Sequence, residues 1–100
     1  MTTLRIGVKT VKPVKFSVFS QRDPELKEKW YLGQRSTPSV QAKNWYELST
    51  NAHLGWFIYF HSDLRFIEGY DSVRFTDGRT MRILRADQVG LHRIKLEVSV

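Results

Sequence analysis

His53, His61 and His92 are the imidazoles of the chain, and they stand in three separate segments without the close spacing of a zinc site. A ligand cluster would need them to converge with carboxylates. Asp63, Glu68 and Asp71 lie near one another and can be read as a carboxylate pair for hydrolysis. Aspartate beside glycine and serine also belongs in turns for backbone reasons, and that is the better reading here. Ser17, Ser36, Ser39 and Ser72 lack both a glycine-flanked elbow and a histidine pattern that would activate a hydroxyl. Gly55, Gly69, Gly78 and Gly90 are isolated, so they make no phosphate-cradling loop. These residues predict neither an enzyme, nor a metal site, nor a cofactor.

Charge points elsewhere. The net charge is +6, and Arg5, Lys9, Lys12, Lys15 and Arg22 all precede the first acid, Asp23. Clustered cations attract nucleic acid or an acidic protein surface and speed encounter with it. The competing reading is a solvated strand face. A second basic group, Arg74, Arg79, Arg82 and Arg85, flanks Asp77-Gly78. Basic residues interleaved with exposed aromatics also suit single-stranded nucleic acid. Trp30, Tyr31, Trp45 and Tyr46 are the candidates, beside Lys27, Lys29 and Lys43, unless the tryptophans fill the core.

One hundred residues, 41% hydrophobic and 13% aromatic, suit a single domain with its own core. The absence of cysteine removes disulfides and thiolate metal sites and fits a reducing cytoplasm. The longest apolar run, Trp56 to Phe60, is far short of the roughly 20 residues of a membrane-spanning helix, and no signal peptide is expected. A soluble chain follows.

The elements that would position these side chains are mostly strands. Ile94, Leu96, Val98 and Val100 alternate with Arg93, Lys95, Glu97 and Ser99, giving one dry and one wet face. Thr76-Asp77-Gly78-Arg79, between Val73-Arg74-Phe75 and Thr80 to Leu84, predicts a hairpin with a two-residue Asp-Gly turn. Leu54 to Phe60 is apolar on both faces, with Trp56, Ile58 and Phe60 on one side and Phe57 and Tyr59 on the other. It therefore needs cover from the rest of a barrel on one side and from a helix, loop or second subunit on the other. Leu4 to Val8 and Val14 to Phe19 read as two short strands, separated by Pro13. From Pro24 to Tyr31 a helical N-terminus competes with alternation through Leu26, Glu28, Trp30 and Leu32, and the strand is preferred. Ser39 to Ala42 reads as a short strand. Lys43 to His53 follows neither period and is expected to be the one long irregular loop. The sum is an all-β domain over 1–100: a small closed or partly open barrel of about six strands with at most one or two short helices. Residues 1–12 are an extension strand.

From Ser39 onward the order of elements resembles the small all-β head-closure, or stopper, proteins that join head to tail in long-tailed phages. Ser39-Val40-Gln41 matches that family's opening strand, Lys43 to Asn51 its irregular segment, Gly55 to His61 its strong strand and Gly69 to Phe75 its turn. Asp77-Gly78-Arg79-Thr80-Met81-Arg82-Ile83-Leu84 is the closest local match, although Met81 stands where an aromatic is usual. His92 to Val98 resembles the closing strand.

The resemblance implies a non-enzymatic virion protein of the phage neck, assembled in the host cytoplasm. Its protomers would form a ring, dodecameric by family expectation, beneath the portal-bound adaptor protein. The ring would retain packaged double-stranded DNA and offer a docking surface to a tail-completion or tail-tube protein. The channel-facing loop maps to Lys43, Asn44, Trp45 and Tyr46, and further basic contacts to Arg5, Lys9, Lys12, Lys15, Arg79 and Arg82. The alternatives are a free-standing OB-like or Sm-like nucleic-acid-binding barrel and a tail-completion protein.

Overall fold

Val14, Phe16 and Val18 alternate with Lys15 and Ser17 along strand β1 (Lys12–Phe19), so one edge of apolar side chains turns inward while the backbone stays free to pair on both sides. It does so: β1 runs antiparallel to β2 (Lys29–Ser36) on one side and to β4 (Ser72–Phe75) on the other. Strands β3 (Leu54–His61), β5 (Thr80–Gly90) and β6 (Arg93–Ser99) complete the circle. In this computed structural model, which describes residues 12–99, the strands form a closed barrel in the order β1-β2-β3-β6-β5-β4. Each strand thus has a partner on both sides, although β2 meets β3 only from Gly33 onward and β5 meets β4 only over Thr80 to Arg82. The expected strand over Leu4 to Val8, together with Arg5 and Lys9, lies outside the described residues.

Phe16, Val18, Ile58, Phe60, Val73, Ile94, Leu96 and Val98 fill the interior, each no more than 3% exposed. Phe60 meets Phe16 edge-on at 5.1 Å, and Tyr31 lies 4.8 Å from Phe60, so three strands share one aromatic contact. Beside this cluster β2 has no room for a side chain: a Cβ on Gly33 would sit 2.6 Å from the Tyr59 carbonyl oxygen. Arg35 closes one mouth of the barrel, its guanidinium 4.2 Å from the Trp56 ring centre and 5.5 Å from that of Phe75.

Two expectations need correction. Lys43 to His53 is not an irregular loop, and Ser39 to Ala42 is not a strand; Val40–Thr50 is the helix α1. Ser39 caps it, its hydroxyl accepting the Ala42 N–H at 3.1 Å, and Asn51 ends it in the left-handed region (φ 58) with its N–H on the Glu47 carbonyl. Local capping thus supplies what an apolar period did not. The Asp-Gly hairpin is also longer than two residues. Phe75 accepts from the N–H of Gly78 and donates to the Arg79 carbonyl, and Gly78 at φ 91 makes the return, so three residues form the loop.

Register irregularities decide what lies outside. A shift between Leu54 and Trp56 rotates Leu54 out of the barrel, and one between Ile83 and Arg85 sets Arg85 outside beside Leu84, which alternation from Ile83 already turns outward. Leu54 and Leu84 then join Phe57 beneath α1. The outer side of β3 is therefore covered by a helix at Leu54 and Phe57, while Tyr59 lies beyond that cover. At the barrel's other end, a 3-10 turn (Leu64–Phe66) is capped by Asp63, and Asp71 ties the β1–β2 connection to β4.

Candidate functional site

Helix α1 bridges β2 and β3 and is the longest excursion from the barrel wall among the described residues. It touches the barrel through a narrow stripe. Tyr46 is its buried residue, packed with Ala52 and Leu54 and flanked by Ala42, Phe57 and Leu84. Lys43, Asn44 and Trp45 are exposed, Trp45 at the margin of that contact beside Tyr46. Three of the four residues expected to meet DNA are thus presented on one helical turn. Tyr46 is not: it serves as the anchor, and this corrects its assignment to a channel-facing surface.

The anchor is polar as well as apolar. The Tyr46 hydroxyl donates to Oε1 of Glu97 on β6, a carboxylate only 7% exposed, while Nζ of Lys95 lies 3.8 Å from Oε2 and 4.1 Å from the Phe57 ring centre. Burial raises the Tyr46 pKa above the ordinary phenol value, and the hydrogen bond to Glu97 and its negative charge raise it further. The phenol therefore remains a donor at any ordinary pH. Trp45 stands edge-on to Tyr46 at 5.0 Å. Between helix and barrel lies a groove of about 300 Å3 lined by Trp45, Phe57, Arg85, Lys95 and Glu97.

The remaining basic candidates divide. Arg79 is held by Asp77 at 2.9 Å, and two cations of the same group are likewise paired, Arg74 with Glu28 at 3.3 Å and Arg85 with Asp87 at 2.8 Å. Arg82 is exposed and has no carboxylate within ion-pair distance among the described residues. Lys15 is exposed on β1, its ammonium 5.7 Å from the Trp30 ring centre. The Lys12 side chain lies outside the described part of the structure.

The four aromatic candidates for base stacking do not share a face. Tyr31 packs inward on Phe16 and Phe60, and Tyr46 is buried. Trp30 and Trp45 are exposed, but Trp30 lies at the start of β2, whereas α1 covers the end of the barrel where Ser36 pairs with Phe57.

His61, Asp63 and Asp71 do not converge. Asp63 accepts the Arg65 N–H at 2.9 Å, and Asp71 accepts from Gln21 N–H at 3.0 Å and the Ser72 hydroxyl at 2.8 Å. Among the described residues no group of three histidines and carboxylates is placed to hold a metal ion. Sequence reasoning missed Glu97 and Lys95. Their alternation put both on a wet face, and only the unforeseen helix turns that face into a partly buried contact.

Comparison with known protein families, curated proteins and solved structures finds no match to this chain.

Proposed function

We propose that this chain is a structural subunit of a phage neck: a ring-forming head-closure protein that retains packaged DNA and offers a docking surface to the tail. The observation that carries the reading is the α1 excursion, which projects Lys43, Asn44 and Trp45 from a rigid closed barrel while Tyr46 and Glu97 hold its base. Repeated around a ring, such a helix would place a collar of positive charge and bulky side chains across a channel occupied by a polyanion. Each copy need make only weak, sequence-independent phosphate contacts, because symmetry multiplies them. The resemblance of Gly55 to Val98 to the head-closure family supports the same role, whereas the likeness over Ser39 to Asn51 gives way to a helix. Ring formation would be a heterologous contact that closes on itself. The partners would be further copies of the chain, the portal-bound adaptor above and a tail-completion or tail-tube protein below, in the neck of the virion.

Negative-stain imaging of the purified protein, alone and mixed with portal–adaptor complexes, tests this. Rings seated on the adaptor are expected. A monomer that never associates with those complexes would overturn the reading.

A further inference from the structure

One flank of the barrel is basic and apolar on its outside and carries no carboxylate in its central rows. On this flank Lys15 pairs with Leu32, and His61 with Arg93, the two halves joined by the Gly33–Phe60 pair. In the neighbouring row Gln34 stands opposite Tyr59. The nearest acids are already engaged: Glu28 with Arg74 and the Ser17 hydroxyl, Glu97 with Tyr46 and Lys95. Leu32 is 71% exposed and Trp30 46%, although both lie on the wall of a well-packed barrel. Beside them a concave site of about 250 Å3 opens between Leu32, Tyr59, His61 and Arg93, floored by Gly33 and Phe60. Cations already lie over the flank's aromatic rings, Lys15 at 5.7 Å from Trp30 and Arg93 at 5.2 Å from Tyr59.

From this arrangement we infer that the outer flank of β1, β2, β3 and β6 binds single-stranded nucleic acid, with Lys15 and Arg93 on phosphates, one base stacked on Trp30 and another in the site beside Leu32. Charge and shape select the ligand together. A polyanion satisfies cations that have no counter-charge of their own, and flat rings cover exposed apolar surface. A duplex supplies phosphates but keeps its bases inside, and an acidic peptide supplies charge without rings. A second copy face to face would bring like charges together, on a chain whose net charge is +6. The inference uses a different surface from α1 and does not rest on the neck reading.

The test is fluorescence anisotropy of a labelled oligothymidylate of about 20 nucleotides, titrated with the full chain at about 50 mM salt. Binding is expected, weakened about tenfold by Trp30→Ala. Lys15→Glu should weaken it similarly and flatten its salt dependence, with Lys15→Gln giving a smaller loss. Thr80→Glu makes the same single-charge change as Lys15→Gln but on β5, across the barrel from β2, and should leave binding unaltered. Circular dichroism confirms that each variant is folded. The inference fails if no binding occurs, if a duplex of equal length or polyglutamate binds as tightly, or if Thr80→Glu costs as much as Lys15→Gln. It also fails if sedimentation shows an oligomer that Trp30→Ala dissociates, since the flank would then be a contact between copies.

Discussion

Tyr46 on α1 and Glu97 on β6 form a buried side-chain hydrogen bond across the gap between helix and barrel. The contact is small in area, with Tyr46, Ala52 and Leu54 as its buried members, so one polar anchor carries a large share of the attachment.

Tyr46→Phe keeps the ring in place but removes the donor, leaving Glu97 buried with Lys95 at 3.8 Å. A loss of about 1.5–3 kcal/mol is expected, the range for a hydrogen bond to a charged group, read as a lower urea midpoint. Hydrogen exchange should show the added loss of protection concentrated in α1.

The same bond sets an alkaline limit. Burial and then Glu97 raise the Tyr46 pKa, so the folded chain holds this proton more tightly than the unfolded chain. Its contribution to stability is complete below the ordinary tyrosine value of 10.0 and falls as pH rises above it. In a titration followed by tyrosinate absorbance, one phenol should ionise only as the fold is lost, and Tyr46→Phe should remove that phase.

Asp71 sets an acid limit of opposite sign. Burial pushes its carboxyl up, but the Gln21 N–H, the Ser72 hydroxyl, the Arg22 N–H and the Ser20 hydroxyl together outweigh burial and leave it below 3.8. Its stabilisation is present above that value and lost as pH falls through the depressed folded value. Asp71→Asn should cost about 1 kcal/mol at neutral pH by weakening the tie between the β1–β2 connection and β4, and should lessen the acid sensitivity of the urea midpoint.

Gly33 and Gly90 test the packing. A methyl at Gly33 would meet the backbone oxygen of Tyr59 at 2.6 Å with Phe16 and Phe60 behind it, whereas at Gly90 the nearest atom is 3.8 Å away. Gly33→Ala should destabilise by about 1–3 kcal/mol or more, and Gly90→Ala should change stability by under about 0.5 kcal/mol. Equal melting temperatures for the two variants would contradict this geometry.

Lys43 and Asn44 separate function from fold. Both are exposed on α1, so Lys43→Glu and Asn44→Ala should leave stability within about 0.5 kcal/mol of the parent, read from the urea midpoint. Under the proposed neck role, particles assembled with Lys43→Glu should release packaged DNA more readily, measured as the nuclease-sensitive fraction of filled heads.

Period-two alternation at Val14 to Phe19, the doubly apolar run at Trp56 to Phe60 and the charged final strand were enough to read an all-β barrel, because each pattern records local partition between a dry and a wet side. Alternation also favoured a strand over Pro24 to Tyr31, but β2 begins only at Lys29, and Pro24 to Leu26 turn instead. Helix α1 was not legible. With Tyr46 as its buried member, it has almost no apolar stripe to betray its period, and Ser39 and Asn51 mark its ends through backbone caps.

Residue chemistry along the chain thus determined the strand content, the turn positions and the basic excess. Tertiary structure alone decided that Glu97 is buried, that Tyr46 is an anchor while Trp45 is exposed, and that Lys15, Trp30, Leu32 and Arg93 share one flank. These outcomes depend on strand order and on register shifts at Leu54 and Ile83, which turn side chains from one side of the wall to the other. Such pairings join residues far apart in the chain, and no local pattern encodes which of them will meet.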